Sequence, residues 1–252
     1  GSFAYAPPSG YLALCSQNLP DVDIIDGSEY FNTLLYTANN ASTRDFTGIG
    51  FAPDFLWFKN RTTAFSHGLY DVVRGVNKGL QSNGTGAENS YTLMTAFGDD
   101  GFSTATDGTA GNLLNYSTDS YVAWAWLAGT AFSNDASATG VGTIDSSGQV
   151  NTTAGFSIVT YTGTGSAGTI AHGLGVAPSM VWIKSRVATS ADGNWLVYVK
   201  AGSVDETDYL LLNSTGAVTD EAGAFNDTAA TTTTFSVGTF ADLNQSSKTY
   251  IA

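Results

Sequence analysis

His67, His172 and Ser166 are the residues of this chain from which a nucleophilic centre could be assembled. A histidine activates a hydroxyl only within hydrogen-bond reach of it, with a third group orienting the imidazole. Ser166 lies in Gly163-Thr164-Gly165-Ser166-Ala167-Gly168, which lacks the Gly-x-Ser-x-Gly spacing of a nucleophile elbow. No Lys-Ser/Thr pair follows those glycines, so a phosphate loop is also rejected. Paired carboxylates could cleave a glycosidic bond. The glutamates, however, are only Glu29, Glu88, Glu206 and Glu221, and Asp99-Asp100 and Asp205-Glu206 sit among turn residues. Asp21, Asp23 and Asp26 could gather round Ca²⁺, but the ligand-and-glycine order of an EF-hand loop is absent. No catalytic, cofactor-binding or metal-ligating residue is therefore assigned, no cofactor is expected, and ligand-binding residues stay open.

The strongest signal is a repeat. Gly48, Gly50, Ala52, Pro53, Trp57, Lys59 and Arg61 recur as Gly173, Gly175, Ala177, Pro178, Trp182, Lys184 and Arg186, displaced by 125 positions in each case. Tyr36-Thr37 recurs as Tyr161-Thr162 at the same displacement. Fixed-period self-similarity means a repeated structural unit. The glycines suit a turn needing positive φ, and the proline suits a strand start. On a strand, Phe55, Trp57 and Lys59 share one face and Leu56 and Phe58 the other. In the second copy Ser179, Val181 and Ile183 form the set expected to face outward, against Met180, Trp182 and Lys184. A tryptophan and a lysine on one face suggest a cation held over the indole. If exposed, the indole would instead be a stacking platform for a sugar ring.

Composition bounds the elements that hold these residues. Charged residues are only 12%, against about a quarter in an average protein, and polarity comes from Ser, Thr, Asn and 29 Gly. Such residues favour strands and turns over helices. Strands are predicted at 30–37, 51–59, 69–73, 91–97, 102–106 and 121–127, and again at 156–162, 179–184, 195–200, 209–213, 235–237 and 249–252. Many short strands between glycine turns predict an all-β chain of two tandem antiparallel β-sandwich domains, jelly-roll or lectin-like. The expected division is an N-terminal arm at 1–27, repeat one at 28–130, a flexible exposed linker at 131–152, and repeat two at 153–252. Repeat one continues past Tyr121-Val122-Ala123 into Trp124-Ala125-Trp126-Leu127, whereas the second copy stops at Ala252. The expectation is a second repeat cut short in its last strand; the alternative is completion by a partner strand.

Acidic residues number 22 against 9 basic, a net charge of −13 that repels phosphate backbones, so nucleic-acid binding is not expected. Cys15 is the one cysteine, which rules out an intrachain disulfide. No apolar run approaches the roughly 18 residues of a membrane-spanning helix, and no membrane insertion is expected. The Asn-x-Ser/Thr triplets at Asn40, Asn60, Asn83, Asn115, Asn151, Asn213, Asn226 and Asn244 follow from composition and are no sign of glycosylation.

The segments PPSGYLALCSQNLP, YFNTLLYT, GIGFAPDFLWFKNR and STDSYVAWAW, with AGFSIVTYTGTGSAGTIAHGLGVAPSMVWIK, WLVYVK and YLLLN in the second copy, resemble tandem-repeat virion structural proteins of marine and cyanobacterial tailed phages. The likeness runs from about Phe3 to Ala252. It implies a fibre-like or adhesin protein, with residues 1–20 as the end of an upstream SPRY-like, concanavalin-type domain. It further implies a virion location, a homo-oligomer (a trimer being one form), other virion proteins as partners, and host surface polysaccharide as a target. It carries no catalytic residues. The expected function is thus non-enzymatic, multivalent attachment to host glycans. The alternatives are a purely architectural capsid decoration or fibre spacer and, behind both, a polysaccharide depolymerase.

Overall fold

The computed structural model describes residues 24–106, 112–188, 192–201 and 205–252. Most of the arm expected at 1–27, including Cys15, Asp21 and Asp23, lies outside them. The described end of that segment is a short 3-10 turn at Gly27–Glu29, capped by Asp26, whose carboxylate accepts from Ser28 N.

The fold is all-β and antiparallel. The first half contains β1 (Phe31–Thr37), β2 (Thr43–Thr47), β3 (Phe55–Asn60), β4 (Gly68–Asp71), β5 (Met94–Gly98), β6 (Gly101–Ala105) and β7 (Ser120–Trp126). Its main sheet has the order β1-β7-β3-β4, and a smaller sheet β2-β6-β5 covers one face of it. β7 runs between β1 and β3 along its whole length, from Tyr36↔Tyr121↔Asn60 to Phe31↔Trp126↔Phe55. Alternation sends Tyr36, Leu56, Phe58, Tyr121, Ala123 and Ala125 into the core, where they meet Phe46, Met94 and Phe102 of the smaller sheet.

The second half adds β8 (Thr130–Asn134), β9 (Ser146–Asn151), β10 (Phe156–Thr162), β11 (Gly168–Ala171), β12 (Met180–Ser185), β13 (Trp195–Val199), β14 (Asp208–Leu211), β15 (Thr219–Asp220), β16 (Thr234–Val237) and β17 (Thr249–Ile251). An eight-stranded sheet runs β15-β14-β13-β12-β17-β10-β9-β8, and β11-β16 forms the second layer. Among the described residues the α-helices are three single turns, α1 (Ala136–Thr139), α2 (Ala222–Phe225) and α3 (Ala241–Asn244).

Two expectations are corrected. Residues 131–152 are not a flexible linker: they hold the β8–β9 hairpin, which extends the main sheet beside β10. Glycine and hydroxyl residues read as loop, yet here they permit close pairing. A Cβ on Gly148 would collide with the carbonyl of Ile158, and the Phe132 ring lies over the same spot. Asp135 caps α1 through Ser137 N and Ala138 N, and Gly140 ends it at φ 68°. Secondly, Val181 and Ile183 point into the core, not outward. The strands missed by pattern reading, β2, β8, β9, β11 and β15, are polar or glycine-rich; backbone pairing, not apolar alternation, places them.

The two cores use the same bonds. Tyr36 stacks on Tyr121 with centroids 5.4 Å apart, and Tyr161 on Tyr250 at 5.2 Å. Tyr36 Oη donates to Leu114 O at 2.6 Å, and Tyr161 Oη to Leu243 O at 2.7 Å. Asn115 Oδ1 accepts from Asn39 N, as Asn244 Oδ1 does from Thr164 N. Each tyrosine therefore ties its main sheet to a loop at the end of the sandwich. Tyr36→Phe and Tyr161→Phe should each lower stability by about 1–2 kcal/mol, since each leaves a carbonyl without its donor. Urea titration of the two variants checks this.

Candidate functional site

A sandwich buries one face of each sheet. Here the other faces of the two main sheets also carry large apolar residues, and they pack on one another. Leu69, Leu80, Ala128, Ile158, Trp195 and Ile251 are buried there, flanked by Phe55, Trp57, Phe156 and Trp182. The repeated tryptophans meet edge to face, with the Trp57 and Trp182 centroids 5.6 Å apart. Phe156 packs against Phe55 at 6.0 Å and against Trp126 at 6.1 Å.

Polar groups clasp this seam. Arg186 Nε and Nη2 donate to the Glu88 carboxylate at 2.9 and 3.1 Å, and Arg74 Nη1 approaches the same carboxylate at 3.4 Å. Arg74 is itself paired with Asp71, and both are buried. Trp195 Nε1 donates to Gln81 O at 2.9 Å, so the loop before β5 grips the second half. The Lys184 ammonium is enclosed and donates to Gly193 O at 2.7 Å and Thr85 O at 3.2 Å. Burial lowers its pKa to about 8 against the opposing pull of Asp242.

The residues singled out from sequence turn out to have structural partners. The repeated lysines and arginines do not lie over the indoles: Lys59 Nζ donates to Phe65 O, and the cation that does sit over rings is Arg44, 4.4 Å above Phe46. Trp57 donates instead to His67 Nδ1 at 2.7 Å. That bond needs a neutral imidazole, and burial, then Lys59, holds the His67 pKa below its ordinary range. His172 is also buried. Its Nδ1 accepts from Leu174 N at 3.1 Å, and its Nε2 faces Thr231 O. It closes the Gly173-Leu174-Gly175 turn, where both glycines have φ near 75°. In the first half Asp100 closes the matching turn by accepting from Gly48 N and Gly50 N at 3.0 and 2.6 Å, bonds that lower its pKa.

Ser166 is exposed, and its carbonyl accepts from Asn244 Nδ2, which ties two loops together. Asp205 caps a turn through Thr207, and Glu221 caps α2 through Gly223 N. Glu29 and Asp99 are exposed, and Glu206 is half-buried. Asn115 and Asn244 are wholly buried. Among the described residues no three His, Cys, Asp or Glu side chains gather to hold a metal ion, and no helix is long and apolar enough to cross a membrane.

One cavity of about 610 Å³ opens beside the seam, walled by Phe156, Ile158, Val181, Trp182, Trp126 and Phe235. Its size is that of a binding site and its lining is mainly apolar. Of these residues pattern reading marks only Trp182, as one of the two repeated indoles; the others belong to no motif.

A family model described as "Domain of unknown function (DUF7483)" matches residues 26–252, a span that takes in both halves and the seam. The chain belongs to the DUF7483 family. No curated protein and no solved structure matches it.

Two outcomes follow from this geometry. Glu88→Gln keeps the shape but removes the charge from both arginine contacts, and should cost roughly 1.5–3 kcal/mol in urea denaturation. Lys184 binds its proton less tightly when folded. From about pH 8 to 10.5 the unfolded chain therefore holds the proton and the folded chain releases it, so this residue's contribution to stability rises with pH across that window. Lys184→Met should lose that rise while sharing every other pH effect; comparison of the two proteins at pH 7, 8.5 and 10 measures it.

Proposed function

We propose that the chain is a non-enzymatic structural module of a tailed-phage virion, of the fibre kind suggested by its resemblance to repeated virion proteins. The observation that carries this reading is the use to which the reactive side chains are put. His172 closes a turn and His67 holds the Trp57 indole, Lys184 and Arg186 reach across to the first half, Arg74 braces Glu88, and Asp54 ties the interhalf segment through Ala128 N and Gly129 N at 2.7 Å each. Groups that an enzyme would leave facing a substrate are committed here to holding layers together.

Of the roles open to such a module, the architectural spacer is favoured over the glycan-reading adhesin. The repeated Trp57 and Trp182 would be the natural sugar platforms, and they pack on each other within the seam. An adhesive role rests instead on Tyr91 and Tyr116, which are 49% and 37% exposed. The test has two arms. Gold-labelled antibody against the chain should decorate purified phage particles at regular positions; particles that lack the chain would sink the virion reading. A glycan array probed with the protein clustered on a multivalent support should be silent. A signal lost in Tyr91→Ala or Tyr116→Ala would replace the spacer with the adhesin.

A further inference from the structure

One loop between β4 and β5 makes several of the contacts that clasp the two halves. Gln81 O accepts from Trp195 Nε1 at 2.9 Å, and Thr85 O accepts from Lys184 Nζ at 3.2 Å. Glu88 N donates to Arg186 O at 2.9 Å, and the Glu88 carboxylate holds the Arg186 guanidinium. Between the first two of these contacts the chain reads Ser82-Asn83-Gly84, the one place in the sequence where glycine follows asparagine.

A main-chain nitrogen can close on the side chain of a preceding asparagine. Glycine allows this most readily, because it has no Cβ to crowd the approach. The surroundings of Asn83 suit the closure at each reacting atom. Its side chain is exposed. Its Oδ1, where negative charge would develop, accepts from His67 N at 3.1 Å, a donor of the kind that stabilises an oxyanion. Its Nδ2, the nitrogen that would leave, donates to Ser66 Oγ at 3.3 Å, a hydroxyl that can hand over a proton as the nitrogen departs. Gly84 N makes only a long bond, 3.3 Å to Gln81 O, and Trp195 already occupies that carbonyl. The carbonyl under attack is polarised, and the attacking nitrogen is weakly held.

We propose that Asn83 is a site of self-modification, converted through a cyclic imide with Gly84 to aspartate and isoaspartate, and that the isoaspartate form loosens the clasp. Gly84 N loses its proton and bonds to Asn83 Cγ; the Cγ–Nδ2 bond breaks and ammonia leaves. Water then opens the imide. Cleavage at Cγ restores the main chain and leaves an aspartate. Cleavage at the main-chain carbonyl leaves an isoaspartate, with one more carbon in the backbone between Gln81 and Thr85. Those two carbonyls are gripped by Trp195 and Lys184, on paired strands of fixed spacing, so the lengthened segment gives up one of the two bonds. The aspartate form keeps the chain length and both bonds. The proposal rests on the clasp geometry alone and stands apart from the virion reading.

The test uses the full folded chain, held for weeks at pH 8 and 37 °C and sampled by peptide mapping. A gain of one mass unit should appear at Asn83 at least about tenfold faster than at any other asparagine, with part of the product a substrate for isoaspartyl methyltransferase. Gly84→Ala should slow the conversion by about tenfold or more, because a Cβ crowds the attacking nitrogen. It should leave Tm unchanged, since that Cβ would meet only the end and the Cβ of the Gln81 side chain, at 3.3 and 3.6 Å. Ser66→Ala should also slow it. The isoaspartate fraction, isolated by ion exchange, should show a lower urea midpoint and faster amide exchange at 182–186 than fresh protein, whereas Asn83→Asp should match fresh protein in both. No conversion in the folded chain, conversion spread evenly over the asparagines, a rate unchanged in Gly84→Ala or in Ser66→Ala, or an isoaspartate fraction as stable as fresh protein would each overturn the proposal.

Discussion

The structure depends on mating the second faces of two sheets. A lone sandwich needs its outer faces polar, because an exposed apolar sheet face invites association. This chain instead places Phe55, Trp57 and Trp126 on one outer face and Phe156, Ile158 and Trp182 on the other, and covers each with its counterpart. Neither half could expose that face to water without losing the favourable burial of several aromatic rings, each of which removes a large apolar area from solvent. The order of layers follows: small sheet, main sheet, main sheet, small sheet. The repeated Trp-x-Lys-x-Arg pattern also follows, because each element of it finds work at or beside the seam in at least one half.

With so few charges, the polar requirements of such a stack fall to hydroxyls, amides and a handful of ions placed where they count. Tyr36, Tyr121, Tyr161 and Tyr250 keep their rings in the core while their hydroxyls serve loop carbonyls and amides. The buried ions are paired or solvated by carbonyls. Arg74 has Asp71 and the carbonyls of Lys78 and Leu69, and Lys184 has those of Gly193 and Thr85. An enclosed ammonium whose hydrogen bonds go to carbonyls is expensive to keep charged, so burial outweighs the pull of Asp242 on its titration. The Lys59 counterpart lies at the periphery and reaches only Phe65 O. The same residue type at the same repeat position thus has different physics in the two halves, according to what covers it.

Much of the fold was legible because apolar alternation survives in the central strands. Phe156 to Thr162 was readable to the residue, and β3, β7, β12 and β13 to within a few positions. What escaped was set by backbone, not side chains. β8 and β9 are built largely from Thr, Ser, Gly, Asn and Gln, and a strand pairs through groups that every residue carries. The direction of Val181 and Ile183 was misjudged because both faces of β12 are apolar, and alternation cannot tell core from seam when both are dry. His172 was visible as a residue and invisible as a turn brace, since its equivalent in the other half is Asp100, from a different strand connection. The cavity escaped for a related reason: its wall draws on residues from both halves, far apart in the chain.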